Sequence, residues 1–429
     1  MLRAMTDVLR GAALAACVAA LLAAGTEAGS AGQAAKWTAG RISVPRKEIL
    51  DSASPLQGAY YVTKTGVEMV GPSGRSLDNG RTWTPFTPTP DPNKGLPTGY
   101  RRSPLAGWVD PVNGLLLQMM LALDIATDPD VAEPDVGVTH YYLRYRVSED
   151  KGLSYLLDEP LIQTGHTVPN PFPGVWTGKN AYYIGDVGSI PIRTRKGDIL
   201  IPGQACVIGD DGKLANPGGG YTWTEAMIII GNWKADKRIE WKTASVIKGD
   251  PARSTRGMIE PTLAELPDGR VLCVMRGSNG GEKDPGCKLP SYRWYSISDD
   301  GGYHWSRPEP MKYDTGEEFF SPSSMSQLLT HSNGRIYWIG NISDKNCQAN
   351  HPRNPLCIAE VNPKTCTLVK STLTTIDSLQ PEDTEGLSLS HGLAFEDRET
   401  HEIVLPMQRN NKTYTKSKPV IYRIAVGSG

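Results

Sequence analysis

Along the chain, short apolar runs follow polar turns at a regular remove. Lys64-Thr65-Gly66 precedes Val67 to Val70, Val112-Asn113-Gly114 precedes Leu115 to Gln118, and Arg195-Lys196-Gly197 precedes Ile199 to Ile201. Pro267-Asp268-Gly269 leads into Val271 to Met275, and Ser332-Asn333-Gly334 into Ile336 to Ile339. A sixth unit, Glu399-Thr400-His401 before Ile403 to Leu405, has histidine where the others have glycine. Runs this short, bounded by turn residues and rich in β-branched side chains, predict strands. From Gly66 to His401 the five intervals average about 67 residues, the length of one repeating unit of structure.

A second pattern lies out of phase with the first. Ser76-Leu77-Asp78-Asn79-Gly80-Arg81-Thr82-Trp83, Ser148-Glu149-Asp150-Lys151-Gly152-Leu153-Ser154-Tyr155 and Ser298-Asp299-Asp300-Gly301-Gly302-Tyr303-His304-Trp305 all read Ser-x-Asp-x-Gly-x-x-aromatic. In such a turn Ser and Asp fold back onto backbone amides, glycine accepts a positive φ, and the ring plugs the turn against the sheet. The separations, close to one and two of the longer periods, predict a degenerate copy around Tyr221 to Trp223. Six such units with no sustained helical period predict an all-β, six-bladed β-propeller of four-stranded antiparallel blades, with separate small domains as the alternative. The segment Trp37 to Leu50 either closes the last blade by pairing with it or belongs elsewhere.

At the N-terminus Arg3 and Arg10 precede an apolar run from Gly11 to Gly25, followed by small residues through Ala35. This pattern reads as an export signal over residues 1–35, leaving 36–429 as a single domain. The run is short for a membrane span, which needs roughly 20 residues, and no comparable stretch follows it. Leu14-Ala15-Ala16-Cys17 has the look of a lipoprotein cleavage box, the other reading being an ordinary cysteine inside the signal. Six cysteines remain, Cys206, Cys273, Cys287, Cys347, Cys357 and Cys366, an even number compatible with local disulfides in an exported chain. Their spacing does not suit structural zinc, and no metal or cofactor is implied. The 429 residues carry 45 Lys plus Arg against 46 Asp plus Glu, so no basic field exists to hold a nucleic acid.

The octapeptides resemble the Asp-box, or BNR, motif, and nearly the whole of residues 36–429 is similar to the sialidase superfamily of six-bladed propellers. That resemblance implies three arginines around a substrate carboxylate. Tyr100-Arg101-Arg102-Ser103-Pro104-Leu105 is similar to the segment that carries the first of them and implies Arg102. The stretch from Glu260-Pro261-Thr262-Leu263 to Met275-Arg276 resembles the family's glutamate and second arginine, and Arg353-Asn354-Pro355-Leu356 the third. Arginine suits the task because it stays charged and offers a planar fork of donors, where lysine offers a point charge. Glu260 is expected to orient or activate a partner, or to cap a neighbouring arginine. The family's general acid is an Asp some way beyond the first arginine. Asp124, Asp128, Asp130 and Asp135 compete for that role, and Asp124 is preferred because the apolar Met119 to Leu123 before it would raise its pKa.

One departure stands out. Sialidases use a tyrosine nucleophile on the final blade, and Gly386-Leu387-Ser388-Leu389-Ser390-His391-Gly392-Leu393-Ala394-Phe395 holds no tyrosine. Either another tyrosine reaches the site or the reaction differs. His391 stands near the vacancy as a candidate base or as a satisfied histidine at a strand end. His166, in Gly165-His166-Thr167-Val168-Pro169-Asn170 ahead of Tyr182 and Tyr183, suggests the His and Tyr pairing of propeller-type uronate lyases. The expected function is exo-type hydrolysis of a terminal carboxylate-bearing sugar from an acidic glycan. A His-dependent uronate lyase, a non-catalytic binder of acidic carbohydrate and a partner-binding scaffold are the alternatives.

Overall fold

Each of the six turns joins the first two strands of an antiparallel sheet in the computed structural model, which describes residues 38–51, 54–72, 74–87, 90–125, 137–185, 190–411 and 417–427. The expected export signal, Cys17 and the loop acids Asp128, Asp130 and Asp135 lie outside the described residues. Glycine supplies a positive φ at Gly114, Gly197, Gly269 and Gly334, and His401 adopts φ 56° in its place in the last unit. That turn is held by Asp397, whose carboxylate accepts from the backbone amides of Glu399 at 2.9 Å and Thr400 at 3.0 Å.

The first sheet runs Tyr60–Tyr61, Met69–Val70, Gly74–Ser76, Thr84–Pro85; the second runs Arg101–Val109, Leu116–Leu123, Tyr142–Ser148, Leu157–Pro160. The third comprises Ile192–Arg193, Ile199–Ile201, Ile229–Trp233 and Ile239–Thr243, and the same stretch of chain also builds a three-stranded sheet from Tyr182–Tyr183, Gln204–Cys206 and Thr224–Ala226. Ile259–Glu265, Val271–Arg276, Arg293–Ser298 and Glu309–Pro310 form the fourth. The fifth is Gln327–Thr330, Ile336–Asn341, Leu356–Asn362 and Thr367–Leu368, with Thr374–Asp377 also paired to its third strand. In the sixth, Phe395–Glu396, Ile403–Arg409 and Lys418–Ile424 are joined by Arg46–Ile49, so the early segment does pair with the last sheet. Arg41–Ile42 and Val426–Gly427 form a further two-stranded pair.

Apolar faces of consecutive sheets meet in shared clusters. Val70 and Leu116 join the first sheet to the second, Tyr145 and Trp241 the second to the third, and Ile230 and Leu263 the third to the fourth. Leu272 and Trp338 join the fourth to the fifth, and Tyr337 and Tyr422 the fifth to the sixth. A last cluster, with Val404 and Ile421 against Leu56 and Met69, joins the sixth to the first. Each large side chain buried in this way contributes about 1.5–3 kcal/mol.

The three octapeptides turn between third and fourth strands with one hydrogen-bond pattern. The amides of Gly80, Gly152 and Gly302 donate to the hydroxyls of Ser76, Ser148 and Ser298, each at 2.8 Å. The amides of Thr82 and Ser154 donate to Asp78 and Asp150 at 2.8 Å, and that of His304 to Asp300 at 3.0 Å. The copy expected around Tyr221 to Trp223 is not such a turn: those residues precede Thr224–Ala226, and the third sheet turns instead through Lys234 to Arg238, where Lys237 takes φ 63°. The expected disulfides are absent too, since Cys206, Cys273, Cys287, Cys347, Cys357 and Cys366 are all free. Cys273 and Cys357 point into different apolar clusters, where burial pushes the Cys357 thiol up to about 11. Among the described residues no helix is long and apolar enough to cross a membrane.

Candidate functional site

The hairpin registers gather the predicted site residues at strand ends remote from the turns. Ile259 pairs with Arg276 across the fourth sheet, opposite Pro267-Asp268-Gly269, and Arg101 pairs with Leu123 across the second, opposite Val112-Asn113-Gly114. The register of the fourth sheet slips between Ile259 and Thr262, and inside that bulge Glu260 takes φ 49°. A non-glycine residue rarely adopts this conformation, and a bulge re-aims the side chain it carries.

Glu260 forms a buried ion pair with Arg276, Nη2 to Oε1 at 2.8 Å. Nη1 of Arg276 donates to the Ser323 carbonyl at 3.0 Å. Behind this pair Arg293, fully buried, donates to the Ser324 carbonyl at 2.9 Å and to the Ser321 hydroxyl at 2.8 Å. Burial and the neighbouring Arg276 pull the Arg293 guanidinium down to about 9, because a charge with no carboxylate ion pair among the described residues is costly to desolvate. Arg256 is also lowered, by burial first and by Arg276 next. Three guanidinium groups therefore share the neighbourhood of Glu260, and the surplus positive charge suits an anion.

Tyr183 stands on the same side. Its strand pairs with Gln204, whose side chain hydrogen-bonds the phenol and accepts from the backbone amide of Glu260. Burial pushes the Tyr183 phenol well above its ordinary value, so it is neutral at pH 7. On the second sheet, Arg102 and Asp124 pair at 3.0 Å, and the Tyr142 hydroxyl donates to the same carboxylate. The setting of Asp124 is thus polar, contrary to the apolar one its sequence neighbours suggested, because Met119 and Met120 turn into the core while Asp124 follows the strand end. Tyr141, next in the chain to Tyr142, packs its ring 6.4 Å from that of Tyr183 and so connects the two groups.

Arg353 donates from Nε to the Asn350 carbonyl at 3.3 Å, and its own carbonyl accepts from the Leu389 amide at 2.9 Å. The Ser323 amide donates to the Ala349 carbonyl at 2.8 Å, which places the Arg353 segment beside the Arg276 contacts. His391 is exposed at φ 67° and lines a small cavity of about 20 Å³ with Ser326 and Ser390. His166 turns its Nδ1 to Asn170 within its own loop, at 3.1 Å from both the carbonyl and the side-chain oxygen. Asn341, which matches a glycosylation pattern, is buried and donates to the carbonyls of Pro355 and Leu389. Sequence reasoning missed Arg256, Arg293 and the buried Ser321-Pro322-Ser323-Ser324 segment. The available signal was an arginine inside the aromatic strand Tyr292-Arg293-Trp294-Tyr295.

Residues 136–379 match the family described as BNR repeat-like domain, and the chain belongs to that family. A protein of unknown function from Dyadobacter fermentans DSM 18053 aligns over 90% of this chain and 99% of its own at 15% identity, with a TM-score of 0.54, and shares the fold. A variant of the NanB sialidase from Streptococcus pneumoniae aligns over 91% of this chain and 68% of its own at 13% identity, TM-score 0.48. The intramolecular trans-sialidase from Ruminococcus gnavus aligns over 90% and 94% at 12% identity, TM-score 0.48. No curated protein matches the chain.

Proposed function

We propose that the six sheets are the blades of one six-bladed propeller, and that residues 36–429 act as an exported, sialidase-like enzyme releasing a terminal carboxylate-bearing sugar. The succession of shared clusters, returning from the sixth sheet to the first, supports the propeller. The functional reading rests on one observation: Glu260, held at φ 49° in a bulge, is paired to Arg276 with Arg256 and Arg293 close by. In this reading Arg276, with Arg102 and Arg353, takes the sugar carboxylate in bidentate fashion. As Arg102 turns to the substrate, Asp124 is the carboxyl left beside it to give a proton to the leaving oxygen. With Tyr183 neutral, water attacks the anomeric carbon, passes its proton to Glu260, and no covalent tyrosine intermediate forms.

A panel of sialyl and uronyl oligosaccharides, with products read by mass and by proton resonance, tests this. The expected product is one hydrated acidic sugar per cleavage, first appearing with inverted anomeric configuration because a single displacement occurs. A product lighter by one water and absorbing in the ultraviolet would replace hydrolysis by elimination. Export is checked on the secreted chain, whose mass is expected to correspond to a mature N-terminus just before Trp37; retention of residues 1–35 would refute it.

A further inference from the structure

A cleft of about 560 Å³ is lined by Tyr221, Arg256, Ser278, Glu282 and Asn350. Its walls are two backbone segments in direct contact. Gly281 sits at φ 94°, and a Cβ there would lie 2.3 Å from the Gly219 carbonyl oxygen, so no other residue fits without moving the wall. Thr224 bridges Gly257 in parallel, which lays the Tyr221 segment alongside Arg256.

Arg256 spans the space between this cleft and the Glu260 site. Its guanidinium feels the charges of Arg276 and Glu260 and the phenols of Tyr183 and Tyr221. Arg256 donates from Nη2 to the Thr222 hydroxyl at 2.9 Å, its buried Nε has no hydrogen-bond partner, and it makes no ion pair among the described residues. Tyr221, 70% exposed, holds its ring 5.6 Å from that guanidinium. An unneutralised guanidinium next to an exposed ring is an arrangement that recognises a planar anion carried on a flat, partly apolar body.

We propose that this cleft is a second sugar subsite, in which Arg256 takes the carboxylate of the next residue while Tyr221 stacks on its ring. The inference rests on the reading of the Glu260 site and narrows it: the substrate is an oligomer with carboxylates on successive units, in preference to a neutral glycan with one acidic end.

Calorimetry on the full mature chain and on its Arg256→Gln and Tyr221→Ser variants tests the proposal. The probes are galacturonic acid and its 1,4-linked dimer, and N-acetylneuraminic acid and its 2,8-linked dimer. Native protein is expected to bind one of the dimers at least about 10-fold more tightly than its monomer. Arg256→Gln should weaken that dimer by roughly 10- to 100-fold, the worth of a charge-assisted hydrogen bond, and the monomer by a clearly smaller factor, since the lost charge also lies near Glu260. Tyr221→Ser should weaken the dimer by a smaller factor and spare the monomer. Equal loss for monomer and dimer would assign Arg256 to the central clamp and overturn the subsite, as would a native protein that binds monomer and dimer alike. Native protein that binds neither would overturn the reading of the Glu260 site itself.

Discussion

Replacement of Arg409 by methionine is expected to lower stability by about 3–5 kcal/mol, the cost of leaving buried carboxylates without their cation. Arg409, almost fully buried at the end of Ile403–Arg409, meets Asp383 with both terminal nitrogens, at 2.7 and 2.6 Å, and Asp377 through Nε at 2.9 Å. Asp377 ends Thr374–Asp377 on the fifth sheet, accepts from the Tyr422 hydroxyl of the sixth, and pairs at 3.0 Å with Lys47 of the N-terminal strand. One network thus ties four strands together. Burial alone would raise the Asp377 carboxyl, but the hydrogen bonds from Tyr422, Arg409 and Lys47 outweigh it and hold the group below its ordinary 3.8.

The sign with pH follows. A depressed carboxyl contributes its stability above the ordinary value and loses it as pH falls through the lower folded value, so the native chain weakens only in acid. In the methionine variant Asp383 loses the guanidinium while Asp377 keeps only Lys47 and Tyr422, so protonation of the pair becomes easier and acid relieves part of the damage. Denaturant midpoints measured at pH 7 and pH 4 should therefore show the gap between native and variant narrowing in acid. A gap that is under 1 kcal/mol at pH 7, or that widens in acid, would contradict this account of the network.

Glu260→Gln and Arg276→Lys are expected to separate turnover from capture. The glutamine is nearly isosteric and removes proton transfer, so kcat should fall about 10²- to 10⁴-fold, with affinity kept or improved since one negative charge leaves the site. The lysine keeps the charge but loses the fork, and affinity for an acidic sugar should fall roughly 10- to 100-fold. Unchanged turnover in the first variant would remove Glu260 from the chemistry, and unchanged affinity in the second would remove Arg276 from the clamp.

What could be read from the sequence was local. A turn such as Pro267-Asp268-Gly269 announces itself because the need for positive φ is met by its own residues, and the octapeptides carry donor, acceptor and glycine within eight positions. Glu260 and Arg276 could be paired in advance because a single hairpin brings them level. Arg256 and Arg293 could not, since the burial of an arginine depends on what other sheets stack over it. The cysteines failed for the same reason: closeness in sequence between Cys273 and Cys287 says nothing about two side chains separated by a strand end and a loop. Tyr221 to Trp223 misled because an aromatic at the right period can also belong to a loop that packs beside Arg256.

Because Arg46–Ile49 completes the sixth sheet and Arg41–Ile42 pairs with Val426–Gly427, the first of the described strands find their partners only among the last. During synthesis those strands wait, unpaired, for nearly the whole length of the polypeptide. Closure is then a late, long-range event, slow by its contact order and exposed to competition from other sheet edges. A ribosome pause or truncation short of Lys418 would leave five assembled sheets and one incomplete one whose open flank recruits strands from other molecules.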